Sequence, residues 1–359
     1  MTEKEALIAI AAFNPFGPAR INLLISFFGS AKNVWRADFK RINEIGLGKD
    51  KLEGFTAHRE NFDLVSYLKT LKKLNIEVIT KEEKNYPRDL SGIDSAPILL
   101  YVKGKIVNSE PRVAIVGSRK MTSYGKEVTE RLAGELAAFG VTIVSGLARG
   151  VDTAAHLAAL DKGGKTIAVL GCGLDCVYPP ENTRLADRIV RSGGALVSEY
   201  PLTYPAFPLN FAARNRIISG LSRAVVVIEG REKSGTLLTA SHAAQQGRSV
   251  FAVPGQITSP NSAAPLFLLK NGAKIATSAY DVLEELGIEV KVDRERMEKI
   301  LPASSEEEKL LEILDLEPVH LDEIARISSL DAGTVSARLT IMELKGLVKN
   351  LGEGIYKKI

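Results

Sequence analysis

From about residue 76 onward the chain repeats one texture: short apolar runs separated by helix-period segments. The runs are IEVI, ILLYV, RVAIV, VTIVS, TIAVL, ALVSE, AVVVIE and SVFAV, spread over residues 76–253. Short strands that are apolar almost throughout are buried on both faces, and that happens when helices cover both sides of a parallel sheet. The alternation of strand and helix therefore predicts an α/β domain over residues 76–288, a largely parallel sheet covered by helices. Right-handed crossovers bring the loops that follow parallel strands to one edge of the sheet, where open α/β folds hold their ligands.

Four of those loops are chemically unusual: GSRKMTSYG at 117–125, SGLARGVDTAAH at 145–156, GCGLDCVYPPENTR at 171–184 and EGREKSGTLLTA at 229–240. The first follows the run VAIV and reads as strand, tight turn at Gly117-Ser118-Arg119, then helix start. Free backbone N–H groups in a first helical turn, the positive end of the dipole and a flanking arginine favour a bound anion, most often phosphate. Ser234-Gly235-Thr236, ahead of the helix TLLTASHAA, forms a second such nest, although a helix N-cap without ligand has the same letters. Arg119, Arg149, Arg184, Arg214 and Arg216 all fall in or beside these loops, and a guanidinium grips a phosphate through two parallel N–H bonds. Arg214 and Arg216 flank Asn215 at the start of an apolar helix, where two positive charges require either an anionic ligand or an ion pair, with Glu199 or Glu229 as the available acids.

Bond-making chemistry is not specified. There is no GxxxxGK[ST], since Lys233-Ser234-Gly235 has the wrong order, and neither a GxSxG elbow nor an HExxH motif occurs. Asp152 and His156 lie four apart on one expected helix, an arrangement that serves an oriented base or, more simply, a loop–helix junction. Cys172 and Cys176 match neither a CxxC pair nor half of a zinc site and read as small apolar filler. No catalytic residue, metal ligand or cofactor is expected.

Residues 1–75 read as short helices broken by Asn14-Pro15, Gly17-Pro18, Gly29-Ser30 and Gly46-Leu47-Gly48. The piece INEIGLGKDKL resembles a SAM-like or helix-hairpin-helix element, and a compact cap packed by Ile42, Ile45, Leu47 and Leu52 accounts for the same letters. A polar stretch at 289–303 reads as a linker. Residues 304–359 give three helices, then strand, turn and strand, the order of a winged helix with Leu339, Met342, Leu344 and Leu347 as the apolar stripe of its last helix. The net charge of +4 is unevenly divided, because residues 301–359 hold 7 Lys/Arg against 11 Asp/Glu, a balance of −4 that leaves +8 on residues 1–300. That places any nucleic-acid footprint on the body, and a surplus of this size is also common in proteins that bind nothing charged. On the third helix of the acidic module only Ser336, Arg338, Thr340 and Lys345 would suit DNA, so contact with protein or a regulatory role is the expectation there. Neither a signal peptide nor an 18-residue apolar span is readable, which leads to a cytoplasmic expectation with no membrane contact.

Taken in order, VAIVGSR…TSYG, IVSGLARGVDTAAH, TIAVLGCGLDCVYPPEN, LVSEYP, ARNRIISGLS, AVVVIEG, SGTLLTASHAAQQGRSVFAVPG and LLKNGA closely resemble the DprA/Smf family of bacterial DNA-processing proteins, over about residues 85–286. The resemblance implies a Rossmann-like domain that binds single-stranded DNA, protects it and loads RecA onto it during natural transformation, typically as a homodimer and without catalysis. It implies a strand-binding pocket of Gly117, Ser118, Arg119, Arg149, Asn182, Arg214 and Arg216. The chain departs from the pattern at Ala212, where the family has proline, and at Ala264 and Leu266, near the surface used for pairing and for RecA. Pro180 stands where some relatives offer lysine. Tyr178, Tyr200, Tyr204 and Phe207 are candidate base stackers near the arginine loops. The competing expectation is a nucleotide hydrolase of the lysine-decarboxylase-like kind. Such enzymes resemble PGGxGTxxE at a loop where this chain has GREKSGTLLTA, without the acid in register.

Overall fold

The computed structural model describes residues 1–288, 305–315, 317–344 and 346–359. The chain divides into two compact units, Met1–Ile288 and Glu289–Ile359. The expected linker at 289–303 and Lys345 lie outside the described residues.

The first unit begins with α1 (Glu3–Ala11), α2 (Pro18–Phe28), α3 (Ala31–Arg36), α4 (Phe39–Asn43), α5 (Lys49–Asn61) and α6 (Leu64–Lys73). Local signals set their ends. Thr2 and Glu5 form a reciprocal capping box on α1, Pro18 opens α2, and Gly29 closes it at φ +79°. Between α4 and α5, Gly46 and Gly48 turn the chain at φ +75° and +88°, values that L side chains rarely adopt. Ile42 and Leu52 are buried beside this turn, with Ile45 and Leu47 packed against the same cluster. The six helices have no core of their own, because that cluster continues into Leu99, Tyr101, Leu170 and Leu196 of the sheet. Tyr67 ties the two parts together: its hydroxyl donates to that of Tyr101 at 3.3 Å and accepts the Leu202 N–H at 3.1 Å.

The sheet has nine strands: β1 (Ile76–Thr80), β2 (Leu99–Gly104), β3 (Arg112–Val116), β4 (Thr142–Ser145), β5 (Thr166–Leu170), β6 (Ala195–Ser198), β7 (Ala224–Val227), β8 (Ser249–Ala252) and β9 (Lys274–Ile275). Their order is β1-β2-β6-β5-β4-β3-β7-β8-β9. Every expected apolar run became a strand. The stretch β6 to β9 is parallel, while β2 pairs antiparallel with β6 and β1 antiparallel with β2. The edge strand β9 carries no apolar run and was not legible beforehand.

Helices α7 (Arg88–Ser91), α8 (Ser123–Ala138), α9 (Val151–Asp161), α10 (Thr183–Arg191), α11 (Pro208–Gly220), α12 (Gly235–Gln245), α13 (Ala263–Lys270) and α14 (Ala279–Glu285) surround the sheet. Residues of α9 and α10 join the core shared with the helical front, whereas α7, α11 and α12 pack on the opposite face. Strand β3 is the pivot: chain order runs from it outward to β4, then returns through α11 to pair β7 on its other side. Such a switch point opens a crevice at the carboxyl ends of the strands. Its walls are firm, since Val113, Ala114, Ile115, Val225 and Val226 are all fully buried. Burying one such Val or Ile contributes about 1.5–3 kcal/mol.

The second unit holds α15 (Ser305–Ile313), β10 (Val319–His320), α16 (Leu321–Ser328), α17 (Ala332–Leu344), β11 (Val348–Gly352) and β12 (Ile355–Lys358), with sheet order β10-β12-β11. Leu310, Leu314, Ile324, Val335, Leu339, Met342, Leu347 and Tyr356 form its core. This is the expected winged-helix order plus one short strand. Among the described residues, no helix is long and apolar enough to cross a membrane, and no cluster of metal-ligating side chains occurs.

Candidate nucleic-acid interface

The loops after β3, β4 and β7 converge with the first half of α11 on a cleft of about 590 Å³. Gly117, Ser118, Arg119, Arg214, Asn215, Ser234, Gly235 and Thr236 all line it, so two-thirds of the expected residues share one site. Gly117 has a packing reason: a Cβ there would come within 2.6 Å of the Val151 side chain, at the start of α9. Arg149 lies next door, in a small pocket shared with Arg119, Tyr178, Phe211 and Arg214.

The arginines differ in what already holds them. Arg119 is exposed, forms no ion pair among the described residues, and lays its guanidinium 5.5 Å from the centre of the Phe211 ring. Arg214 is 4% exposed, and its Nη1 donates to the Gly146 carbonyl at 2.8 Å and to that of Val169. Asp152 sits opposite and accepts the Gly146 and Ala148 N–H groups at 3.1 and 3.3 Å. Gly146 is squeezed between them, since a Cβ there would meet Arg214 Nη2 at 2.5 Å and Asp152 Oδ2 at 2.7 Å. Arg214 is therefore the buried strut under the cleft floor. Burial pulls its pKa down and pushes that of Asp152 up.

Arg216 does not reach the cleft. Both oxygens of Glu199 accept its Nη2 at 2.7 Å, and the two side chains are 13% and 7% exposed. Of the two readings open for Arg216 in sequence, the structure gives the ion pair with Glu199. Asn182 is also structural: its Nδ2 donates to the Leu147 carbonyl at 2.8 Å and to Thr153 Oγ1 at 2.9 Å. Arg184 is exposed on the first turn of α10, outside the cleft lining. Arg149 is exposed yet paired with Glu181, whose carboxylate raises the guanidinium pKa by hydrogen bonding.

Each of the two helix starts carries a cap of the protein's own. Helix α8 begins at Ser123, six residues beyond Gly117, with Thr122 as N-cap. Glu229, from the end of β7, accepts the Thr122 N–H at 2.9 Å and the Thr122 hydroxyl. The sequence placed this helix start at Gly117-Ser118-Arg119, whereas the helix begins later, at a cap the carboxylate supports. At α12 the Ser234 hydroxyl accepts the Thr236 N–H at 3.0 Å, the ordinary capping bond. Side-chain charge joins these loops around the cleft, and here the structure adds residues that sequence reasoning missed. Lys120, Arg231 and Lys233 line the cleft, are exposed, and like Arg119 form no ion pair among the described residues. Their signal was present: all three sit in loops already singled out.

Aromatic groups redistribute in the same way. Tyr178 stacks on Phe211 at 5.4 Å and 29°, beside Arg119. Phe211 was not expected in this role. Tyr200 and Tyr204 stack on each other at 4.7 Å and line a separate small pocket with Phe16, Pro18 and Ile21 of the helical front. Phe207 stands edge-on to Tyr204 and is half exposed.

The pair Asp152 and His156 is no catalytic dyad. His156 is fully buried, its Nδ1 meets Thr166 Oγ1 at 2.6 Å, and burial drives its pKa down to about 3. Cys172 is buried, with its thiol pushed up to about 12 by burial, and Cys176 is a free, exposed cysteine. On the winged-helix unit, Arg338 of α17 donates to Glu306 of α15 at 3.0 Å. That arginine is held by its own module's acid.

A cleft of about 590 Å³ at the switch point of a Rossmann-like sheet, rimmed by exposed cations that form no ion pair among the described residues, is the kind of surface that attracts a polyanion. The model for DNA recombination-mediator protein A matches residues 77–287, and that for the DprA winged helix domain matches residues 295–354. The chain belongs to the DprA/Smf family. It is 34% identical to Protein Smf of Synechocystis over 97% of this chain and 96% of that one. It is 47% identical to DNA processing protein DprA of Streptococcus pneumoniae over 56% of this chain and 71% of the relative. The solved structure of DNA processing protein A from S. pneumoniae superposes with a TM-score of 0.64 at 35% identity, covering 79% of this chain and 98% of that one. That of DNA processing protein A from Helicobacter pylori, described by its single-stranded DNA binding mode, gives 0.52 at 31% identity, with 58% and 95% covered.

Proposed function

We propose that this chain is a single-stranded DNA-binding recombination mediator that shields incoming DNA and loads RecA onto it, working as a homodimer. The observation that carries the DNA-binding part is the set Arg119, Lys120, Arg231 and Lys233, four cations around one cleft without ion-pair partners among the described residues. Cations already committed to carboxylates would leave nothing for phosphates. Sequence-independent strand binding also needs flat groups for bases, and the Tyr178–Phe211 stack at the mouth supplies them. The H. pylori relative's single-stranded DNA binding supports the same reading. Family membership supports the RecA and transformation roles. Phe267, Ile275 and Tyr280, each more than half exposed around the edge strand β9, support a pairing surface there.

A hydrolase is disfavoured because the one acid lining the cleft, Asp152, is 7% exposed and committed to two backbone amides and Arg214. The deciding experiment is binding of fluorescent oligo-dT against duplex of equal length across a salt series, with the oligomeric state measured alongside. Preference for the single strand is expected, with a log–log salt slope near about −3 for about four neutralised phosphates at roughly 0.7 each. Equal or tighter duplex binding, or a slope near zero, refutes the cleft assignment.

A further inference from the structure

We infer that the single strand leaves the cleft across the loop that follows β6, with its bases laid along the run Phe207, Tyr204 and Tyr200, toward the seam with the helical front. This rests on the strand-binding reading above and adds the path and the base contacts beyond the cleft.

The run adjoins the cleft. Pro208 and Phe211 line the cleft wall, and Phe207, the N-cap of α11, stands directly before the one and a turn ahead of the other. From Phe207 the next ring is Tyr204, edge-on at 6.2 Å, and from Tyr204 it is Tyr200, stacked at 4.7 Å and 26°. Tyr200 and Tyr204 then share a small pocket with Asn14, Phe16 and Pro18 of the helical front. Strand order puts these groups on one edge, because β6 is the parallel neighbour of β5, whose following loop carries Tyr178 against Phe211. Rings therefore recur along that edge from the cleft mouth to the front.

Phe207 is 52% exposed, and a ring left half in water forgoes much of its burial energy. The loop that holds it out is fastened to the loop after β5. Asp175 accepts the Thr203 N–H at 3.0 and 2.9 Å, the Tyr204 carbonyl accepts the Gly173 N–H at 2.9 Å, and Asn210 Nδ2 donates to the carbonyls of Gly171 and Pro205 at 3.0 and 3.3 Å. Thr203 itself sits at φ +64°, a conformation that a β-branched residue adopts only where its surroundings compel it. A ring held in water by a fastened loop is preorganised for a flat partner, and every nucleobase has a flat face. Tyr200 and Tyr204 are half-buried, so Phe207 is the member of the run with the most free surface and the one to change.

The test compares the wild-type chain with Phe207→Ala and Phe207→Trp on oligo-dT of graded length, from about 4 to about 20 nucleotides, with thermal unfolding measured alongside. In wild type, affinity is expected to go on rising with length after the cleft is filled. Phe207→Ala is expected to stay within about twofold on the shortest oligonucleotides and to lose about fivefold or more on the longest, at an unchanged log–log salt slope because stacking neutralises no phosphate. In Phe207→Trp the added indole, read above the emission of the one native tryptophan, Trp35, is expected to be quenched by long oligo-dT. It decides the matter where the alanine variant does not fold. An alanine variant equal to wild type at every length, a loss of the same size at every length, or an indole that bound long oligo-dT leaves unquenched overturns the inference. Absence of oligo-dT binding in the wild-type chain would instead sink the parent reading.

Discussion

Replacing Arg119 by alanine separates a phosphate grip from a structural arginine. Among the described residues the guanidinium has no ion-pair partner, and it lies over the Phe211 ring, so its removal leaves no buried charge behind and the fold is expected to stand. A charge-assisted hydrogen bond contributes about 1.5–3 kcal/mol. Exposure at the rim and salt screening reduce this to about 1–2 kcal/mol, a loss of about 5- to 30-fold in affinity at low salt. The loss is independent of base sequence, because phosphates carry none. One fewer neutralised phosphate flattens the log–log slope by about 0.7. Raising salt fourfold, from 50 to 200 mM, therefore narrows the gap between wild type and variant by about 2.6-fold. Fluorescence anisotropy with oligo-dT of several lengths measures both quantities. A variant with unchanged affinity and unchanged slope refutes the placement of the strand, and one that loses affinity at constant slope shows that Arg119 acts through Phe211 instead.

Glu181→Gln frees Arg149 from its exposed ion pair and is expected to tighten oligo-dT binding several-fold with a steeper salt slope; weaker binding would mean that Glu181 orients Arg149 productively. Arg216→Ala strands the buried carboxylate of Glu199 and should cost about 3–5 kcal/mol in urea unfolding, so a stability near wild type would show that Glu199 is otherwise compensated. The depressed pKa of His156, about 3 in the folded chain against about 6.5 when unfolded, makes the unfolded state the better proton acceptor between those values. Its contribution is complete above pH 6.5 and falls by about 1.4 kcal/mol per unit as pH drops toward 3. Thr166 donates to the Ile143 carbonyl and so accepts from His156 Nδ1–H, which predicts a neutral ring at pH 5 in imidazole 15N spectra; a charged ring in folded protein would contradict it.

The sequence by itself determined the elements and their neighbourhood. Apolar runs such as RVAIV and AVVVIE have too little polar alternation to be anything but buried strands, and crossover handedness then forces the loops at 117–125, 145–156 and 229–240 to one edge. That is why Gly117, Ser118, Arg119, Arg214 and Ser234 could be assigned to one site in advance. The winged-helix order was legible for the same reason, since Leu339 and Met342 keep helical spacing to a core.

Only the tertiary structure decided which charges are free. Arg214 and Arg216 stand two apart on one helix, and that spacing turns them through about 200°, so one supports the cleft floor while the other meets Glu199. Glu229 lies more than a hundred residues from Thr122, and no local pattern announces that its carboxylate bonds the N-cap of α8. Partnership between charges depends on distances across the fold. Linear spacing encodes local geometry, which is why the cradle could be read from the letters and its vacancies could not.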